Sequence, residues 1–413
     1  MPSASYFDFA VANRRFLGFG FFLALSSSFG QTYYIGIFGP AVQQEFGLSH
    51  TAWGSIYMAG TLASAAILPW TGKLIDRLDL RHYTAAVCAL MALACGFMSV
   101  VPGPLLLVLA VFGLRQSGQG LLSHVALTSM ARYFDANRGR GIAIASLGFS
   151  LGEGVLPFAA VSLIAAVGWR HSYALAAAVV LCAVLPGALW LLRGHAGRHR
   201  DYVERQRGLN ASVLRGPAWT RAQVLRDARF YLLLPGIVAP SLVMTALFFH
   251  HLNLADAKGW SHAWITGNYA IFAALTLVAA LVNGPLIDRF GALRLLPVML
   301  VPMALAMLVV ASFQGPWVVL PYMALFGVAT GMAHTLGAAV WAELYGVTHL
   351  GAIKSMAASL GVFSSALGPV TAGVLMDAGM ALESVCLLFA IYTTCTILLA
   401  LVALSRPPSV PRG

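Results

Sequence analysis

Charge is what this 413-residue sequence has least of: Asp, Glu, Lys and Arg make up 9% of it, against about 25% in ordinary soluble domains. With 59% hydrophobic residues and a mean hydropathy of +0.81, the chain has too little polar surface for a water-soluble fold. Acidic groups number only 14, and Glu153 alone stands deep inside an apolar run. Cysteine is sparse as well. Cys88, Cys95, Cys182, Cys386 and Cys395 all fall in apolar runs and form no CxxC pair, which excludes a disulfide framework and a cysteine metal site. The sequence has no phosphate-binding loop, nucleotide fingerprint or catalytic triad. Neither an ATP-driven pump nor an enzyme is expected, and no cofactor or bound metal is required.

What the chain has in quantity is apolar runs of membrane-crossing length. Twelve of them occupy residues 14–37, 51–71, 83–101, 104–130, 140–167, 171–192, 230–250, 263–283, 294–313, 316–342, 354–376 and 383–404. About 20 residues at 1.5 Å each cross a hydrocarbon core of ~30 Å, and helices satisfy their own backbone groups there. Lys and Arg alternate from loop to loop: with a cytoplasmic N-terminus, 22 of the 25 fall on the cytoplasmic side, the exceptions being Arg170, Lys258 and the intramembrane Arg115. By the positive-inside rule both termini are expected in the cytoplasm. The +11 net charge is then a topology signal, with anionic lipid as a secondary contact and no role for nucleic acid. Arg14-Arg15 opens an apolar stretch too long for a signal-peptide core, so the first span is expected to be retained.

Two segments repeat at a constant offset of 212 residues. Gly47, Ser49, His50, Tyr57, Gly72, Leu74, Ile75, Asp76 and Arg77 recur as Gly259, Ser261, His262, Tyr269, Gly284, Leu286, Ile287, Asp288 and Arg289. A period this long is no solenoid repeat. It marks a duplicated half-protein and an all-α membrane fold of two pseudosymmetric six-helix bundles. The expected division is residues 1–192, a basic connector at 193–229 with nine Arg, lying on the membrane surface, and residues 230–413.

In the first span, Ser26, Ser27, Ser28, Gln31, Thr32, Tyr33 and Tyr34 form an unusual polar group. Two readings stand: interhelical hydrogen bonding, or Gln31 and Tyr34 on the wall of a central cavity. Ser49 is placed to cap the second helix, with Tyr57 further along it. That helix ends in Gly72-x-x-x-Asp76-Arg77-x-x-x-Arg81, and the eighth ends in Gly284, Asp288, Arg289, Gly291 and Arg294. Glycine there permits close helix approach, and Asp and Arg complement helix ends and lipid phosphate.

This paired signature resembles that of the major facilitator superfamily, and the resemblance extends over essentially the whole chain. It implies twelve helices and secondary transport by alternating access. Asp79 stands where the family usually has glycine, which implies a looser first turn. Arg115-x-x-Gly118-x-Gly120 resembles the family's fourth-helix motif, whose arginine is associated with proton or substrate coupling. Gly148, Gly152 and Pro157 resemble its fifth helix.

Arg115 lies 11 residues into its span and Glu153 13 residues into the next, depths of about 16 and 20 Å. Pairing is expected: either a structural ion pair that permits insertion, or a functional one in which an anionic substrate shares Arg115 and Glu153 takes a proton. In the second half, Tyr269 repeats Tyr57, His250 and His251 end the seventh span where they can titrate or simply sit at the interface, and His334 lies in the tenth.

By general texture the chain is similar to bacterial members near the monocarboxylate and oxalate/formate branch. The reading is a monomeric transporter of a small monocarboxylate-like anion in a bacterial cytoplasmic membrane, with protons as coupling ion. A multidrug exporter, an importer of copper or of a cofactor such as a flavin, and a non-transporting receptor stay open as alternatives.

Overall fold

The computed structural model describes residues 6–134, 137–200, 219–346 and 350–405, and these contain helices and no strand. Residues 201–218 of the expected connector lie outside the described residues. The spans are α1 (Arg14–Ser26, a 3-10 turn Ser27–Gly30, then Thr32–Ile37), α2 (His50–Gly72), α3 (Leu80–Val100) and α4 (Pro104–Tyr133). They continue as α5 (138–167), α6 (169–191), α7 (Ala228–Phe249), α8 (Tyr269–Phe290), α9 (Ala292–Ser312), α10 (Val319–Tyr345), α11 (Leu350–Asp377) and α12 (Leu382–Ser405). Nine helices among the described residues are by themselves long and apolar enough to cross a membrane. One of them, Arg138–Leu191, is two spans. Gly168 at φ 80°, ψ 163° folds α5 back into α6, a conformation that needs glycine. The two spans outside the nine are α1, which is broken, and α2, which Thr, Ser and Gly dilute.

By its packing the chain divides into Met1–Phe46 with Ala59–Ala211, and Gly47–Met58 with Ser212–Gly413. The first turns of α2 thus belong with the second unit. The first unit pairs α1 with α5 and α3 with α6; the second pairs α7 with α11, α8 with α10, and α9 with α12. Ser49 accepts a hydrogen bond from the Ala52 amide at 3.1 Å, as a cap should, and its repeat Ser261 does the same for Trp264.

Close helix approach, expected at the signature glycines, occurs elsewhere. A methyl on Gly72 would meet His124 at 3.6 Å, an ordinary contact, and one on Gly284 would meet nothing within 4 Å. Tight crossings include Gly148 against the Phe21 carbonyl on α1, Gly368 against the Leu242 carbonyl on α7 and Gly331 against the Thr276 carbonyl on α8. Small residues let backbones meet there, which is where intramembrane packing energy is gained.

The two cations that break the charge asymmetry of the loops have matching structural work. Arg170 joins Glu45 at 2.6 Å and donates to the Ser99 and Val101 carbonyls at the end of α3. Lys258 joins Glu383 at 3.4 Å and donates to the Phe313 carbonyl at 2.9 Å at the end of α9. Val101 and Phe313 are 212 residues apart. Both halves therefore hold a cation on the orphan carbonyls of the third helix of the half, with the counter-charge supplied from opposite positions.

Candidate functional site

The polar group in the first span does more than sit in a helix. Gln31 has extended backbone (φ −84°, ψ 154°), so α1 is interrupted between Gly30 and Thr32. Facing that break, Arg115–Leu122 of α4 is wound as a π-helix, a wide turn found often at functional positions. The two irregular segments touch through backbone: a methyl on Gly118 would lie 2.6 Å from Gly30 Cα. Arg115, 2% exposed, donates through Nη1 to the Gly30 carbonyl at 3.1 Å and to Thr32 Oγ1 at 3.4 Å. A carbonyl released by a helix break thus meets a guanidinium that no lipid-facing position would tolerate. The next residue, Gln116, accepts from Ser64 at 2.9 Å and donates to Thr71 at 2.8 Å, tying α4 to α2.

Glu153 stands on the other side of the same break. Gly152 packs against Ser28, which accepts from the Tyr33 hydroxyl at 2.8 Å, and Glu153 lies close enough to Tyr33 to act on it electrostatically. The expected pair does not form: among the described residues no salt bridge joins Arg115 to Glu153. The reason is the break itself, which offers Arg115 a carbonyl that a continuous helix would have used internally. Depth along a helix axis says how far in a charge lies, not which way it faces. Gln31 is partly exposed, whereas Tyr34 is 3% exposed and packs edge-on against Phe29 and Tyr173.

The second unit has its own buried polar group. His251 lies between two phenols, with Nδ1 2.7 Å from the Tyr269 hydroxyl and Nε2 2.9 Å from the Tyr322 hydroxyl. All three are buried, and Phe248 packs on both His251 and Tyr269. A neutral imidazole donates through one nitrogen and accepts through the other, so a tautomer change would reverse the direction of both bonds. His250 Nε2 donates to the Pro369 carbonyl at 3.0 Å. Tyr57, fully buried, packs on Phe249 with centroids 4.6 Å apart, while His334 is exposed on α10. Asn283, wholly buried, donates to Thr335 Oγ1 at 2.6 Å and to the Met332 carbonyl at 3.2 Å. It is the repeat position of Thr71. Both tie a signature helix to the second helix after it.

The signature loops are built differently from each other. Asp76 pairs with Arg132 of α4, whose other terminal nitrogen donates to the Ile75 carbonyl at 3.0 Å. Asp79 does not loosen the turn; it caps α3, accepting from the Arg81 amide at 2.8 Å with φ −57°, so glycine is not needed there. In the second loop Gly291 takes φ 82°, and Glu343 from the end of α10 caps α9 by accepting from the Ala292 amide at 2.6 Å. Asp288, Arg289 and Arg294 are exposed, as are Arg77 and Arg81, with Arg289 over the Phe290 ring at 5.2 Å. Gln116, Tyr322, Asn283 and Glu343 escaped the sequence reading. The signal for Asn283 was a lone amide in an apolar run, and for Gln116 the polar stretch that follows Arg115; Tyr322 and Glu343 carried none.

Comparison with known proteins agrees with this architecture. The sequence profile of the Major Facilitator Superfamily matches residues 20–277 and 252–413. A gallate transporter of Pseudomonas putida is 30% identical over 162 residues, which are 38% of this chain and 35% of that protein, so the match spans about a third of the relative's length. The crystal structure of the nucleoside transporter NupG superposes with a TM-score of 0.73 at 14% identity, covering 96% of this chain and 99% of that one. A bacterial homologue of the human lysosomal transporter Spinster gives 0.62 at 15% identity, covering 97% and 96%.

Proposed function

Because this chain belongs to the Major Facilitator Superfamily and is a multi-pass transporter rather than an enzyme, we propose that it carries a small monocarboxylate-like anion and couples its movement to protons. The observation that carries this reading is Arg115, buried and bound to the Gly30 carbonyl at a helix break. A guanidinium recognises a carboxylate through two parallel charge-assisted bonds, stronger than those to a neutral carbonyl. A substrate carboxylate would therefore compete with Gly30 and Thr32 for Arg115 and loosen α1 at its break. Discontinuous helices serve as binding sites in other secondary transporters for the same reason, since they leave backbone groups to be satisfied by a ligand. The match to a gallate transporter supports a carboxylate substrate.

Glu153 and Tyr33, on the far side of the break, are the proposed proton-carrying pair, and His251 with its two tyrosines is the second proton site to test. On this reading the protein works as a monomer in a bacterial cytoplasmic membrane, and the loop charges support both termini lying inside. The test is uptake of labelled monocarboxylates, gallate and benzoate included, into proteoliposomes with and without an imposed pH gradient. Arg115→Ala abolishes uptake and exchange, and Arg115→Lys fails largely, because an ammonium does not reproduce the fork. Glu153→Gln abolishes gradient-driven uptake and spares exchange. Uptake by Glu153→Gln with an unchanged pH dependence would move the proton to His251. Full uptake by Arg115→Ala would end the anion reading.

A further inference from the structure

The first unit has a cavity of about 430 Å³ at the ends of two apolar spans, between the start of α1 and the end of α6. Its lining includes Asn13, Arg14, Arg15, Arg193, His195 and Arg198. Gly194, at φ 84°, makes the turn that swings the chain after α6 back over the start of α1. Three arginines around one cavity, Arg14, Arg15 and Arg193, repel each other unless an anion joins them. Arg14, Arg15 and Arg193 form no salt bridge among the described residues. Arg198 lies over the Phe16 ring at 4.2 Å, and Arg15 over the Trp190 ring at 5.1 Å.

We infer that this cavity is a binding site for the phosphate headgroup of an anionic phospholipid. The position sets the source of the phosphate. Trp190, 51% exposed, and Val11, 44% exposed, flank the arginines with apolar surface, as an acyl chain leaving a bound headgroup would require. An aromatic beside basic side chains at a helix end also suits the interface, and the alternation of loop charges puts this end at the anionic cytoplasmic leaflet. His195 sits at the back of the cavity, 5% exposed, with Nδ1 lacking a hydrogen-bond partner among the described residues. Burial first, and then His199, Arg198 and Arg81, push its pKa down to about 4 against the pull of Asp79. Asp79 and Arg81 belong to the signature loop, so a bound headgroup would act electrostatically on that loop. This site is independent of the substrate reading above.

The experiment uses the full-length protein in neutral detergent, with thermal unfolding and native mass spectrometry as readouts. Phosphatidylglycerol or cardiolipin raises the apparent melting temperature by several degrees and remains bound in the gas phase; phosphatidylethanolamine does neither. The stabilisation shrinks as salt rises from 50 to 500 mM, because the contact is ionic. The double substitution Arg14→Gln, Arg193→Gln leaves the lipid-free melting temperature unchanged, since neither side chain holds an ion pair among the described residues, and removes most of the lipid-induced shift. Arg14→Lys, Arg193→Lys retains part of it. An equal shift from inorganic phosphate alone would overturn the lipid assignment. Equal stabilisation by phosphatidylethanolamine, or an undiminished shift in the glutamine variant, would overturn the site.

Discussion

Gly30→Ala probes the contact between the α1 break and the π-wound part of α4 most directly. The added methyl would fall on the Leu114 carbonyl oxygen and lie 2.8 Å from Gly118 Cα. Ordinary contact begins at 3.4 Å, so the Gly118 contact alone requires the two backbones to separate by 3.4 − 2.8 = 0.6 Å, and the Leu114 carbonyl requires more. Both neighbours are backbone, so no rotamer change relieves the clash. The same separation would stretch Arg115 Nη1 to Gly30 O from 3.1 Å toward 3.7 Å, beyond hydrogen-bond range. Overpacking costs about 1–3 kcal/mol, and a lost hydrogen bond to a charged donor about 1.5–3 kcal/mol, so the sum is ~2.5–6 kcal/mol. The assay is thermal unfolding in detergent at fixed protein concentration, with Gly284→Ala as control. The control should be neutral or stabilising by about 0.5–1 kcal/mol, because alanine is the better helix former and nothing lies within 4 Å. Gly118→Ala should resemble Gly30→Ala, and the double variant should fall short of their sum, since both press on one contact. If Gly30→Ala melts with the wild type while Gly284→Ala falls, the reasoning is wrong.

Glu383→Gln should destabilise by about 3 kcal/mol, the low end for a broken buried pair, because the Lys258 side chain is fully buried while that of Glu383 is 25% exposed. Adding Lys258→Met should recover most of the loss, and a double variant no better than Glu383→Gln would show that the pair is not the cause. Asp377, beyond the last apolar turn of α11, accepts from the His50 and Thr51 amides at 3.1 and 2.8 Å. Burial pulls its carboxyl up, but hydrogen bonds from Thr51, Ser49 and His50 together bring it down to about 2, from 3.8. Its contribution is therefore complete above pH 3.8 and lost as pH falls toward 2. Asp377→Asn should lower stability at pH 7 by up to about 1 kcal/mol, an exposed capping effect, and melting curves of the two proteins should converge on acidification; a gap that widens below pH 4 would contradict the sign.

The sequence by itself determined what the bilayer imposes residue by residue. Twelve apolar runs, the alternation of basic loops, the 212-residue repeat and the paired signatures are one-dimensional patterns, fixed by hydrocarbon thickness and duplication and by nothing a neighbouring helix does. Arg115, Glu153, His251 and Tyr269 were visible for the same reason, since a polar side chain in an apolar run must find a partner. Which partner it finds was decided only in three dimensions. Arg115 meets the Gly30 carbonyl rather than Glu153 because α1 breaks at Gln31. His251 meets Tyr322 across 71 residues of sequence. Asp79 caps its own helix, while its counterpart loop borrows Glu343 from α10. Each of these depends on how helices rotate and how near they come, and small residues scattered over many spans set both, so no local window of sequence contains the answer.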